Sequence, residues 1–289
     1  MAEESNDIPI EAWNTVLFEK WIRFRHVLTA GLQEHGKAGM RLCAFRSGER
    51  VLDVGCGFGD TTLDIARAVT PRGEAVGVDC AENFISAAAE EAKASGVANA
   101  SFFVADVQSD DLRGPYDRAF ARFGTMFFNL PGAALRNIGR AIRPGGEFVM
   151  VVWRKREENP WLFDAEQLVR EMVPVVAHDD TDQVHCGPGP FSMAGPDMVS
   201  AMMQIAGFKR VGFERYDCDI CIGGDLDEAV EFSMALGPAG EIIRLAGDEG
   251  ERLRPHVSKA LRALFATRAR PDGSIWAPSS SWIVRGERA

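Results

Sequence analysis

The chain has 289 residues, 46% apolar and 26% charged, which is ordinary globular usage and excludes a disordered, collagenous or coiled-coil protein. Lysine and arginine total 32 against 42 aspartates and glutamates, and the resulting net charge of −10 argues against nucleic acid as a partner, since a duplex binder needs cations to release counterions from phosphates. No apolar run reaches about 18 residues, so no membrane span is expected; the start, MAEESNDIPI, lacks a basic and then apolar leader, so a cytoplasmic location with reduced thiols is expected.

Residues 9–35 carry Trp13, Leu17 and Trp21, then Phe24 and Leu28, at the spacing of one helix face. Arg50 to Val54 reads as a short apolar strand ending in a glycine cluster, and Thr61 to Val69 as a helix stopped by Pro71 and Gly73. The alternation then repeats. Strands are predicted at 75–78, 101–105, 116–123 and 147–152, and helices at 82–95 and 132–142. Continuous apolar strands alternating with helices predict a parallel sheet covered on both faces. Arg143-Pro144-Gly145-Gly146 suits a type II turn, with Pro144 and Gly145 in its central positions. Further along, 160–206 reads as two helices around a polar loop, 208–222 as a strand, 225–268 as two or three helices, and 281–285 as a short last strand.

The sharpest local signal is Asp53-Val54-Gly55-Cys56-Gly57-Phe58-Gly59, between a predicted strand and a predicted helix. Gly55 permits a tight turn and Gly57 a close ligand approach, and the next helix aims its N-terminus at that ligand. A dinucleotide fingerprint needs a third glycine where this chain has Asp60. Asp53 would repel a pyrophosphate but suits a cation, and S-adenosylmethionine carries both an ammonium and a sulfonium. Asp79 ends the second strand about 20 residues after Gly59, the spacing of a carboxylate that accepts from ribose hydroxyls. Asp106 follows the third strand, where a carboxylate can accept from the adenine amine.

VLDVGCGFGDTT, GVDC, ADV, YDRAFARFG and IRPGGEFVMV, in this order, resemble class I S-adenosylmethionine-dependent methyltransferases over residues 48–153. The stretch RFGTMFF to RPGGEFVMVVWRKREENPW is similar to the ubiquinone/menaquinone C-methyltransferase-like group of small-molecule enzymes. The resemblance implies a doubly wound, Rossmann-like α/β sheet of seven strands, the last antiparallel. One methyltransferase domain, 1–289, would then comprise a helical arm at 9–45, the cofactor-binding core at 48–153, and cap or substrate insertions at 154–206 and 223–270. It also implies that Asp53, Gly55, Cys56 and Gly57 line the methionine moiety. Asp79 would take the ribose, with Cys80 beside the adenine, and Asp106 and the Val107 amide would read the adenine edge. Arg122 stands where the fourth strand approaches the methionine end, paired either with the cofactor carboxylate or with a structural acid.

The expected reaction is methyl transfer to a carbon or oxygen of a small apolar or aromatic acceptor. A nicotinamide-dependent oxidoreductase and a non-catalytic S-adenosylmethionine-binding protein stand as alternatives. Met126, Phe127, Phe128, Trp153 and Trp161 are candidates for the acceptor wall, and Trp13, Phe18 and Trp21 for a cover. Among the five histidines, His185 in Val-His-Cys-Gly-Pro-Gly-Pro is the candidate general base and His26 the second choice. No metal is expected: Cys218-x-x-Cys221 has no second cysteine pair, and the acidic run after His178 reads as a solvated loop.

Overall fold

The computed structural model describes residues 7–174 and 187–289. The seven strands are β1 (Arg50–Val54), β2 (Glu74–Asp79), β3 (Ala100–Val104), β4 (Tyr116–Arg122), β5 (Ile142–Trp153), β6 (Phe208–Gly223) and β7 (Ile275–Arg288). They form one sheet in the order β3-β2-β1-β4-β5-β7-β6. The first five run parallel, while β7 lies antiparallel to both β5 and β6. The strand order reverses between β1 and β4, and open α/β sheets bind ligands at the carboxyl ends beside such a reversal.

Continuous burial along β1 from Val51 and along β5 from Phe148 to Trp153 reflects cover on both faces. Helices α4 (Asp60–Ala68), α5 (Glu82–Ala94) and α6 (Pro131–Ala141) follow β1, β2 and β4, as the alternation predicts. Gly145 has φ 77°, as the second central residue of a type II turn requires, and this turn displaces the β4–β5 register between Tyr116 and Arg118.

The N-terminal arm is a broken helix: α1 (Asp7–Ala12), a π-helical turn (Trp13–Leu17), α2 (Phe18–Arg23) and then α3 (Arg25–Cys43). Glycines let α3 lie close to its neighbours. A Cβ on Gly39 would stand 2.6 Å from Val151 Cγ2 and one on Gly36 2.8 Å from Arg122 Cδ. Gly39→Val is therefore expected to destabilise the fold by about 1–3 kcal/mol, through overpacking against a rigid strand, measured as a lower urea midpoint.

The later helices are α7 (Pro160–Met172), α8 (Pro196–Ile205), α9 (Leu226–Ala235), α10 (Pro238–Leu245) and α11 (Gly247–Ala266). α7 packs on α10 and α11 and reaches β7. β7 is much longer than the predicted 281–285. Its extra residues 275–280 pair with β6 alone, because β5 ends opposite Ser281. Pro278 thus sits where the strand has lost one neighbour, a place that tolerates a missing donor. Among the described residues no helix is long and apolar enough to cross a membrane.

Candidate functional site

The β1–α4 turn is held from below, where the Gly55 and Cys56 amides both donate to the Val78 carbonyl, at 2.8 and 3.0 Å. Gly55 and Gly57 take φ 67° and 52°, which side-chain-bearing residues rarely adopt. A Cβ on Gly55 would also stand 3.2 Å from Gly124 Cα, so β1 and β4 approach each other here. The turn leaves bare backbone facing a cleft of about 1070 Å³ of free space, open mouth included, at the carboxyl ends of β1, β2, β3 and β4.

Asp79 lies across this cleft. Its Oδ2 accepts from the Gly57 amide at 3.0 Å and its Oδ1 from the Ala81 amide at 3.1 Å, which fixes the carboxylate in place. Burial raises its pKa, against the pull of these amides. The Cys80 thiol beside it, and Cys56 in the turn, are pushed up by burial too, so both remain neutral thiols. Asp106 accepts from the Gln108 amide at 2.9 Å, and the Val107 carbonyl accepts from Asn137 Nδ2 at 3.0 Å, pinning the β3 exit against α6.

Gly55, Cys56, Gly57, Asp79, Cys80, Asp106, Val107 and Arg122 all line the cleft, whereas Asp53 does not. Asp53 lies beneath the turn, 1% exposed, with its carboxylate accepting from Thr62 Oγ1 at 2.6 Å. It stands one residue before the end of β1, whereas the residues that line the cleft lie at the strand ends or beyond them. Arg122 Nη2 meets Asp60 Oδ2 at 2.6 Å, so an acid of the chain itself stands on the guanidinium. Asp60 itself lines the cleft. Its signal was visible as the acid in place of a third glycine, but that pattern marks an excluded cofactor and not a site residue. Phe84 was missed outright, because one aromatic in an alanine-rich helix carries no positional signal.

The arm roofs the cleft with Trp13 and Trp21, and Phe127 and Phe128 close the β4 side. Trp13 stands 5.1 Å from Phe127 and 5.6 Å from Trp21 between ring centroids, both edge-on. Phe18 packs on Phe84 at 5.0 Å and so supports the roof from outside. Met126, Trp153 and Trp161, expected at the acceptor wall, are core residues instead; Trp153 stacks on Phe123 at 3.9 Å. No described residue of 154–206 or 223–270 lines the cleft. Among the described residues α7 packs on β7 and α8 and α9 pack on β6, while the arm supplies the described cover.

His185 and His178 lie outside the described residues. His26 meets Glu228 Oε1 at 2.6 Å on an exposed surface, away from the cleft lining. His35 is fully buried: its Nδ1 meets Ser281 Oγ and its Nε2 Ser279 Oγ, each at 2.7 Å. Burial pushes its pKa down to about 4. Cys218 Sγ lies 3.3 Å from the same Nε2, and Cys221 donates to the Gly223 carbonyl; both are free thiols. Among the described residues no group of three or more histidines, cysteines and acids is placed to hold a metal ion.

These donors and acceptors fit S-adenosylmethionine. The cleft lining carries three carboxylates, Asp60, Asp79 and Asp106, against the single guanidinium of Arg122. That balance suits a cationic nucleoside and disfavours a pyrophosphate. Asp79 is fixed by backbone amides with oxygens turned to the cleft, as an acceptor of ribose hydroxyls must be. The fold and site define a nucleoside-binding α/β transferase. Residues 45–209 match the family described as "Methyltransferase domain", more than half of the chain, and the chain belongs to that family. It is a class I S-adenosylmethionine-dependent methyltransferase, similar in sequence to the ubiquinone/menaquinone C-methyltransferases.

The demethylmenaquinone methyltransferase of Staphylococcus carnosus is 28% identical over 185 residues, 61% of this chain and 74% of that one. A 23S rRNA (uracil(1939)-C(5))-methyltransferase of Xylella fastidiosa is 46% identical over 124 residues, covering 43% of this chain and 27% of the relative. The crystal structure of the YcgJ protein of Bacillus subtilis superposes with a TM-score of 0.57 at 18% identity, covering 89% of this chain and 98% of that one. At that identity the likeness speaks to the fold.

Proposed function

We propose that the protein transfers the methyl group of S-adenosylmethionine to a carbon or oxygen of a small apolar or aromatic acceptor. The observation that carries this reading is the convergence of Trp13, Trp21, Phe84, Phe127 and Phe128 on the cofactor cleft. Small-ligand sites are mainly apolar with few polar anchors, and aromatic walls favour flat, unsaturated partners. The cofactor supplies a methyl group already activated on a sulfonium. The chain's own task is then positional: the glycine turn and Asp79 fix one reactant, while the two arm tryptophans press the other against Phe127 and exclude water. The net charge of −10, and a cleft lining whose one cation among the described residues is Arg122, weigh against RNA as the acceptor.

The test is formation of S-adenosylhomocysteine with a panel of phenols and hydroquinones, set against an rRNA fragment. Turnover with members of the small-molecule panel is expected; turnover with the RNA alone would overturn the proposal. Trp13→Ala is expected to raise the acceptor KM about tenfold, through lost aromatic contact, while leaving cofactor affinity nearly unchanged. A loss confined to cofactor affinity would move Trp13 to the other end of the cleft.

A further inference from the structure

The Asp60–Arg122 ion pair stands between two cavities. The cofactor cleft and a second, open hollow with about 770 Å³ of free space, mouth included, share Thr29, Asp60 and Arg122 in their linings. The second cavity is polar, walled by α3, α4 and the end of α5, and carries Arg25, Lys37 and Arg67. Each of these cations already has an acid: Arg25 with Glu91 at 3.0 Å, Lys37 with Glu34 at 2.9 Å, and Arg67 with Asp64 at 3.0 Å. Arg122 reaches the junction from the end of β4 through the notch that Gly36 leaves in α3, where a Cβ would stand 2.8 Å from Arg122 Cδ. A glycine inside a helix is unfavourable relative to alanine, and here its effect is to give the guanidinium a path.

Two facts make the pair exchangeable. Arg122 is the one cation among the described residues of the cleft lining, and its partner oxygen belongs to a residue that faces both cavities. The side chains are 14% and 26% exposed, so the pair is only partly desolvated. Swapping one carboxylate for another on the same guanidinium leaves the local charge balance unchanged, and a released Asp60 can turn to the second cavity, which it also lines. Simple loss of Asp60 would instead strand a half-buried cation.

We propose that Asp60 holds the position on Arg122 that a ligand carboxylate takes on binding, so that Arg122 selects ligands bearing that group. The carboxylate is either the cofactor's own or that of an aromatic acid acceptor; the second case rests on the acceptor reading above, the first does not. A planar carboxylate suits the guanidinium fork, which can hold it through two parallel hydrogen bonds.

Calorimetric titration with two matched pairs of probes tests this. S-adenosylmethionine is compared with its decarboxylated form, and 4-hydroxybenzoate, with cofactor present, is compared with 4-hydroxybenzamide. Arg122→Met is expected to weaken the carboxylate member of one pair by roughly tenfold to a hundredfold and its partner by no more than about twofold. Asp60→Asn is expected to tighten that same member selectively, because its competitor is gone. Selectivity in the first pair assigns the carboxylate to the cofactor, and in the second to the acceptor. Equal shifts within both pairs, or none, overturn the proposal and leave the ion pair a structural link. Should Arg122→Met fail to fold, the Asp60→Asn titration decides alone: selective tightening supports the exchange, and a change shared by both members of each pair sinks it. Failure of every aromatic acceptor in turnover would leave the cofactor pair still readable.

Discussion

Asp79→Ala is expected to raise the dissociation constant for S-adenosylmethionine by roughly tenfold to a hundredfold, the effect of leaving hydrogen-bonding groups unpaired against a lost charged acceptor. Its carboxylate is held by the Gly57 and Ala81 amides, so it meets a ligand without first having to be ordered. Removing it leaves two ribose hydroxyls and two backbone amides short of an acceptor at once. Asp79→Asn should fare little better: the amide nitrogen would face the Gly57 or the Ala81 amide, donor against donor. Adenosine alone should show the same loss as the full cofactor, because the contact is with the sugar. Calorimetry with both ligands reads this directly. Equal affinity of Asp79→Ala and the unaltered protein would remove Asp79 from the nucleoside site, and with it the main support for the orientation of the cofactor.

The elements that carry this site were legible because each rests on a local rule. β1 was read at its true bounds, and α5 within one residue, since continuous apolar strands and capped alanine-rich helices announce themselves. The glycine turn and the acids at the ends of β2 and β3 were equally local. What was not legible depends on contacts between distant segments. β7 was read as five residues because Pro278, Ser279 and Ser280 break the apolar pattern, yet pairing with β6 makes them strand. Asp53 looked like a ligand contact, but only its depth within β1 decides that it faces Thr62. Trp153 and Trp161 resembled pocket aromatics, but stack into the core. His35 had no distinguishing neighbours in sequence; its partners Ser279 and Ser281 lie more than two hundred positions away.

That histidine and Asp53 together predict an unusual pH response. Burial holds the folded-state pKa of His35 near 4, below its ordinary value of 6.5, so the unfolded chain takes up the proton first on acidification. Its contribution is complete above pH 6.5 and is lost as pH falls towards 4, roughly 3 kcal/mol at the extreme. Asp53 acts in the opposite sense. Burial raises it from 3.8 to about 7, so its contribution is complete below pH 3.8 and is lost as pH rises through 7, roughly 4 kcal/mol at the extreme. Between about pH 4 and 6.5 the two slopes oppose each other, and the unaltered protein should show a flatter profile than either group alone would give. Single substitutions unmask them. Asp53→Asn keeps an acceptor for Thr62 without the buried charge; its stability relative to the unaltered protein should improve by several kcal/mol from pH 4 to pH 8. His35→Gln loses packing and a hydrogen bond at every pH, but its deficit should shrink by roughly 3 kcal/mol from pH 8 to pH 4. Urea unfolding across that range measures both differences. A pH-independent difference for Asp53→Asn would mean that the carboxylate stays ionised beneath the glycine turn, and a constant deficit for His35→Gln would mean that the imidazole takes up its proton in the folded core as readily as in water.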